Sequence, residues 1–297
     1  MRLGHVLVVL ALVFPLAASP APARSRADVS AYSGLGTWID LYEPQAWRTP
    51  GETAAQVAAK RATTLYLQTG NYRQRSDLVR PAGLGSLVEA AHAQGLQVVA
   101  WYLPAFASPR DDLRRALAAI RFRTPRGESF DSFALDIEAS VVRSVPLRTA
   151  RLLRLSRQLR TAVGPSYPLG AIIPSPVGME RKPAYWPGFP YRGLGSLYDV
   201  FLPMTYFTYH ARGTAAVLRY TSRSVAIIRS ATGNPAVPIH VIGGISRSTG
   251  PAEARGFMSA VSSCAPLGFS LYDFYGTRPA AWSLLGAVPA GGAGLCL

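Results

Sequence analysis

The octapeptide Asp131-Ser132-Phe133-Ala134-Leu135-Asp136-Ile137-Glu138 decides how the rest of this chain is read. Successive side chains of a β-strand point to opposite faces, so Ala134, Asp136 and Glu138 share one face while Phe133, Leu135 and Ile137 share the other. The bulky apolar set suits packing under helices. The acids then point the other way, toward the carboxyl end of the strand. In a barrel of parallel strands that end carries the chemistry.

Seven more β-rich runs surround it, at 36–41, 63–68, 96–103, 169–173, 200–206, 239–243 and 268–273, and helix signals separate most of them. Ser108 can cap a helix that has Pro109 at its first position and Asp111 and Asp112 in its first turn, and that runs to about Arg121. Residues 145–163 close with Gly164, and 214–231 close with Gly233, both helix stop signals. Eight strand and helix alternations predict an α/β fold, a (β/α)8 TIM barrel forming one domain. Residues 174–195 hold five prolines and the aromatics Tyr185, Trp186, Phe189 and Tyr191, which predicts a long loop on the rim.

Composition bounds the rest. The chain has 297 residues, 49% hydrophobic and 16% charged, which excludes a disordered chain. Arg2, an eleven-residue apolar stretch at 6–16 and the small residues Ala21 and Ala23 predict a signal peptide over 1–23. Residues 24–33 then lead into the barrel at 34–297. Eleven apolar residues are too few for a membrane span, so no span is expected once the leader is cleaved. A secreted, extracellular or cell-wall associated monomer is expected. Cys264 and Cys296 fit an oxidising compartment, and a bridge between them would contribute about 3 to 4 kcal/mol by loop entropy.

Lys+Arg total 31 against 16 Asp+Glu, a net +15 that falls to +14 without Arg2. Arg148, Arg151, Arg154, Arg157 and Arg160 recur every third residue and are expected over a broad outer helix face. No aromatic platform interleaves with them, which argues against nucleic acid as a partner. His5, His92, His210 and His240 are scattered without metal-ligand spacing, so neither a metal nor a cofactor is expected. There is no G-x-S-x-G elbow and no phosphate-binding loop, and Gly243-Gly244 reads as a tight strand exit.

Two carboxylates on one strand face repel in a desolvated site, which raises one pKa and leaves the other group ionised. That division of roles suits glycosidic cleavage. The plainer alternative is that the acids bind arginines or cap the barrel.

The octapeptide resembles the D-G-x-D-x-D-x-E signature of glycoside hydrolase family 18, the chitinase-like barrels. Asp131, Ser132, Asp136 and Glu138 align with its first acid, glycine, third acid and glutamate. Met204-Thr205-Tyr206 is similar to the family's M-x-Y motif, and Tyr272 stands where the last strand carries an aromatic floor residue. Ala134 replaces the middle aspartate, and Phe207 stands where the strand-six motif ends in another. The resemblance implies Glu138 as general acid, Asp136 as the holder of a substrate acetamide and Tyr206 as its hydrogen-bond partner. The Asp-x-Glu also resembles that of other secreted barrels, including the lysozyme-like family 25 and uncharacterised glycoside hydrolase-like proteins.

The expected function is hydrolysis of O-glycosidic bonds in a polysaccharide, an acetamido-sugar or cell-wall polymer. Glu138 and Asp136 would be catalytic, and Tyr206, Tyr272, Asp273, Met204, Asp40 and Tyr102 would bind substrate. Glu138 and Asp273 could also converge from opposite walls, about 5 Å apart for a retaining reaction or about 6.5 to 9.5 Å for an inverting one. The alternative function is an inactive carbohydrate-binding barrel at the cell surface, motivated by Ala134 and Phe207.

Overall fold

A computed structural model describes residues 27–287 and Cys296. The leader expected over 1–23 lies outside the described residues. The first half of the chain runs β1 (Gly34–Ile39), α1 (Pro44–Arg48), α2 (Pro50–Ala59), β2 (Thr64–Asn71), α3 (Pro81–Ala93), β3 (Gln97–Leu103), α4 (Pro109–Ile120) and β4 (Ser132–Asp136). It continues through α5 (Val145–Val163), β5 (Leu169–Pro174), α6 (Pro176–Arg181), α7 (Tyr191–Gly195), β6 (Val200–Met204) and α8 (Thr214–Thr232). β7 (His240–Ile245), α9 (Pro251–Cys264), β8 (Gly268–Tyr272) and α10 (Pro279–Leu285) complete it. All eight strands are parallel and pair in chain order, with β8 closing on β1. The fold is a (β/α)8 TIM barrel.

Strand alternation sorts the apolar residues into two cores. Leu65, Leu67, Val98, Ala100, Phe133 and Leu135 face the helix layer. Trp38, Tyr66, Val99, Trp101, Ala134 and Met204 fill the barrel interior. Among the described residues no helix is long and apolar enough to cross a membrane.

The bottom of the barrel is plugged by a short 3-10 turn, Ser30–Tyr32. The Tyr32 hydroxyl donates to the Phe133 carbonyl and accepts from Ser132. Its own carbonyl lies 2.9 Å from His240 Nδ1, and a carbonyl can only accept, so Nδ1 carries the proton. Nε2 therefore accepts from Ser270, whose oxygen also receives the Trp38 indole N–H. Burial lowers the His240 pKa to about 4, so the ring is neutral at pH 7.

The arginine periodicity divides differently from expectation. At about 100° per residue, Arg154 and Arg157 fall opposite Leu152, Leu155 and Leu159 and are exposed, but Arg148 falls among those leucines and Arg160 at their edge. Both are buried. Arg160 pairs with Asp199 at 2.6 Å and donates to the Leu197, Gly164 and Tyr167 carbonyls. Arg148 lies 4.1 Å from the Trp186 ring centre, a cation–π seat in place of an acid.

Two local expectations also change. Ser108 accepts no N–H from α4; its hydroxyl instead donates to the Asp111 carboxylate in the first turn. The loop expected at 174–195 folds into α6 and α7, because Ser175 caps Gly178 N–H and Trp186, Phe189 and Leu194 find the core. Cys264 and Cys296 are bridged.

The plug leaves no space for a side chain at Gly268. A Cβ there would stand 2.2 Å from the Tyr32 carbonyl oxygen and 2.3 Å from His240 Nδ1. Gly268→Ala should therefore cost about 3 kcal/mol or more in urea unfolding, beyond what a glycine in a strand loses by propensity alone.

Candidate active site

At the carboxyl ends of the strands the barrel opens into a cavity of about 480 Å³. It is lined by Asp40, Asp136, Glu138, Met204, Tyr206 and Tyr272, six of the eight residues expected from sequence. Trp101, Gln68, Asn71 and Arg73 line it as well.

Asp136 is the last residue of β4, and Ile137 still donates its N–H to Ile172 before the chain leaves the ladder. Glu138 is thus the second residue past the strand end. That position gives the two acids different surroundings. The Asp136 side chain is 5% exposed and its Oδ1 has no partner, whereas Glu138 is exposed to the cavity. Burial raises the Asp136 carboxyl well above the usual range, and the Glu138 charge raises it further. Glu138 is raised as well, by partial loss of water among the cavity walls although the residue remains accessible. The pair therefore retains a proton at pH values where isolated carboxyls have lost theirs.

Ala134 lies one inward position below Asp136, within the apolar interior. It offers nothing to the unpartnered Oδ1.

Tyr206 extends from the end of β6, 6.2 Å between ring centres from Tyr272. Burial raises its hydroxyl pKa, with the charges of Asp136 and Glu138 adding to the effect, so it is a neutral donor. The Tyr272 hydroxyl donates to Asp40 Oδ2 at 2.7 Å, and Asp40 Oδ1 accepts the Tyr42 N–H. This fixes the aromatic floor to the β1 exit. Phe207 turns away, its ring centre 5.9 Å from that of Phe257, so the position that is an aspartate in the resembling motif serves the core here. A Cβ on Gly244 would stand 2.5 Å from that Phe207 ring; Gly243 and Gly244 lie within β7, where its pairing with β8 shifts register, and not at the strand exit expected from sequence.

Two expected binding residues stand elsewhere. Tyr102 follows Trp101 on one strand, and alternation sends it to the helix side, where its hydroxyl donates to the buried Asp112. Trp101 takes the cavity position, with its Nε1 buried and unpartnered. Asp273 is 3% exposed; its Oδ1 accepts the Gly276 N–H and its Oδ2 lies 3.7 Å from Arg247, so the carboxylate belongs to the loop after β8. Asp131, the first acid of the motif, sits at the far end of β4 and accepts from Val98 N–H and His92. Its role there is to join α3, β3 and β4.

The rim contributes one contact that composition did not reveal. Tyr185 donates its hydroxyl to the Glu138 carbonyl, and Arg148 donates to the Tyr185 carbonyl. The loop after β5 thereby holds the backbone that carries Glu138.

No protein-family model and no curated protein sequence matches the chain. Solved structures do. An endo-β-1,4-mannanase from Thermotoga petrophila matches with TM-score 0.66 and 11% identity over 88% of this chain and 77% of that one. The spore cortex-lytic enzyme SleL of Bacillus cereus gives 0.64 and 10% over 90% and 75%. A glycoside hydrolase family 18 N-acetylglucosaminidase from Paenibacillus barengoltzii gives 0.58 and 13% over 86% and 99%. At such identities the likeness is one of fold: the chain is a TIM-barrel protein similar in architecture to glycoside hydrolases.

Proposed function

We propose that this chain is a secreted glycoside hydrolase that cleaves O-glycosidic bonds of a polysaccharide, an acetamido-sugar or cell-wall polymer, with Glu138 as general acid. The observation that carries the reading is the pair of raised carboxyls at the open end of the barrel, one buried and one facing the cavity. Glu138 is the member that can reach a glycosidic oxygen. Asp136, beneath it, offers an unpartnered acceptor to a substrate N–H or O–H.

The proton's path follows from that geometry. A substrate donor bound to Asp136 favours its ionised form, and the neighbouring negative charge then keeps Glu138 protonated. Glu138 passes its proton to the leaving oxygen as the bond to the anomeric carbon breaks. If the substrate carries an acetamide, its carbonyl oxygen closes on that carbon while Tyr206 and Asp136 hold the group. Water then opens the intermediate and returns the proton to Glu138.

A second reading, a barrel that binds glycan without cleaving it, draws on Ala134 and Phe207. Both stand in apolar packing where acids would otherwise tune the pair.

Glu138→Gln should lower kcat/KM by about a hundredfold or more while substrate binding persists. An unchanged rate of sugar release would overturn Glu138 as the acid. The descending limb of the kcat/KM profile should lie above about pH 4.5, where an ordinary glutamate is about half ionised. A limb at the ordinary value would count against the raised pair.

Stability supplies an independent check. A carboxyl whose folded pKa exceeds its unfolded value binds more protons in the native state, so its burial costs stability as pH rises between the two values. Asp136→Asn removes that cost. The variant should match the wild type near pH 3 and become more stable from about pH 4 upward, reaching a constant difference above the folded pKa. Each pKa unit of the shift corresponds to roughly 1.4 kcal/mol. Thermal melts of the two proteins from pH 3 to 8 measure it.

A further inference from the structure

The cavity floor is acidic, with Asp40, Asp136 and Glu138, but its rim on the β2 side carries Arg73, the only cation lining it among the described residues. With 31 basic and 16 acidic residues, many arginines of this chain necessarily lack acid partners, so an unpaired arginine alone means little. The seating of this one is what distinguishes it. Its backbone N–H donates to Asn71 Oδ1 at 2.9 Å, and its Nε donates to the Tyr72 hydroxyl at 3.3 Å. The guanidinium stands 5.5 Å from the Tyr72 ring centre. Asn71, itself 4% exposed, donates Nδ2 to the Tyr42 hydroxyl. The Asn71 amide, itself held by Tyr42, fixes the Arg73 main chain, and among the described residues Tyr72 alone contacts its exposed guanidinium. Its Nη1 and Nη2 edge has no acid partner among the described residues.

We propose that Arg73 is the recognition site for a carboxylate-bearing sugar unit, and that the polysaccharide taken by the cavity is therefore an acidic one. The proposal rests on the glycan reading above. A guanidinium fork matches a carboxylate with two parallel hydrogen bonds, a fit that a neutral hydroxyl cannot use fully. The acids of the floor repel an anionic group, so the charged unit is held at the rim while a neutral unit occupies the site over Asp136 and Glu138. Tyr42, 65% exposed, and Tyr72 supply flat apolar faces for the C–H face of that same unit. The carboxylate is either at C6 of a hexuronate or on a lactyl ether of an amino sugar, and both present the same chemistry to the fork.

The test uses Glu138→Gln, so that ligands stay intact, with calorimetric binding at 0.15 M salt to suppress long-range attraction to the basic surface. The probes are a hexuronate oligosaccharide and a lactyl-ether amino-sugar oligosaccharide, each beside its carboxyl-reduced counterpart. At least one acidic probe should bind about tenfold tighter than its reduced form. Adding Arg73→Gln should equalise the two while leaving the reduced form's affinity in place. Arg73→Lys should restore part of the preference, and Arg154→Gln, on the exposed face of α5, should leave it intact. Equal binding of both acidic probes and their reduced forms overturns the site. So does a preference that survives Arg73→Gln or that disappears equally with Arg154→Gln. Release of sugar from neutral chains with no carboxylate preference would overturn this site and leave the hydrolase reading standing. Arg73-dependent binding with no release by wild-type protein would do the reverse.

Discussion

A closed ring of eight parallel strands encloses a space that side chains must fill, because neither water nor bare backbone can occupy it without leaving polar groups unpaired. Here the lower part is filled by a polar-aromatic layer. Tyr32 enters from below, Trp38 stacks on Tyr66 at 4.1 Å, and His240 bridges the Tyr32 carbonyl and the Ser270 hydroxyl, which also accepts the Trp38 N–H. That layer can close only because Gly36, Gly170 and Gly268 leave room for the rings and for the Tyr32 backbone. With the bottom sealed, the cavity at the strands' carboxyl ends is where the interior meets solvent.

The electrostatics of the mouth follow from that closure. Asp136 sits at the boundary between the packed interior and the cavity, so it has lost water without gaining a partner for Oδ1. Such a group is a cost to the fold, and the core beneath offsets it. Glu138, two residues on, has left the ladder and reaches solvent, while Tyr185 anchors its main chain. Two carboxyls of similar chemistry thus acquire different surroundings from a displacement of two residues.

The scarcity of acids shapes the rest of the molecule. Arg160 has a carboxylate partner in Asp199, but Arg148 is packed against Trp186 and main-chain carbonyls. Burial pushes its pKa down accordingly. Some of the acids join elements, such as Asp131, Asp112 and Asp199, while Asp40, Asp136 and Glu138 line the cavity. Arg73 lines the same cavity as those three acids.

The period-two pattern of 131–138 placed both acids on the inner face, and the recurrence of such runs gave eight strands and a barrel, because alternation and helix signals are local properties of the chain. Six of the expected site residues meet in one cavity for the same reason. Where an expected residue stands elsewhere, neighbours distant in sequence decide its place. Trp101 and Tyr102 cannot share a face, yet which one points inward depends on the register against β2 and β4 and on Asp112, which receives the Tyr102 hydroxyl. Asp273 lies at the expected strand end, but Ser246 holds its main chain and the Gly276 N–H takes its carboxylate into the loop. Arg73 and Tyr185 carried no motif at all. The sequence by itself determined the barrel and the acidic strand end. The partner of each rim residue was decided by tertiary packing, since loops from different strands meet only once the ring has closed.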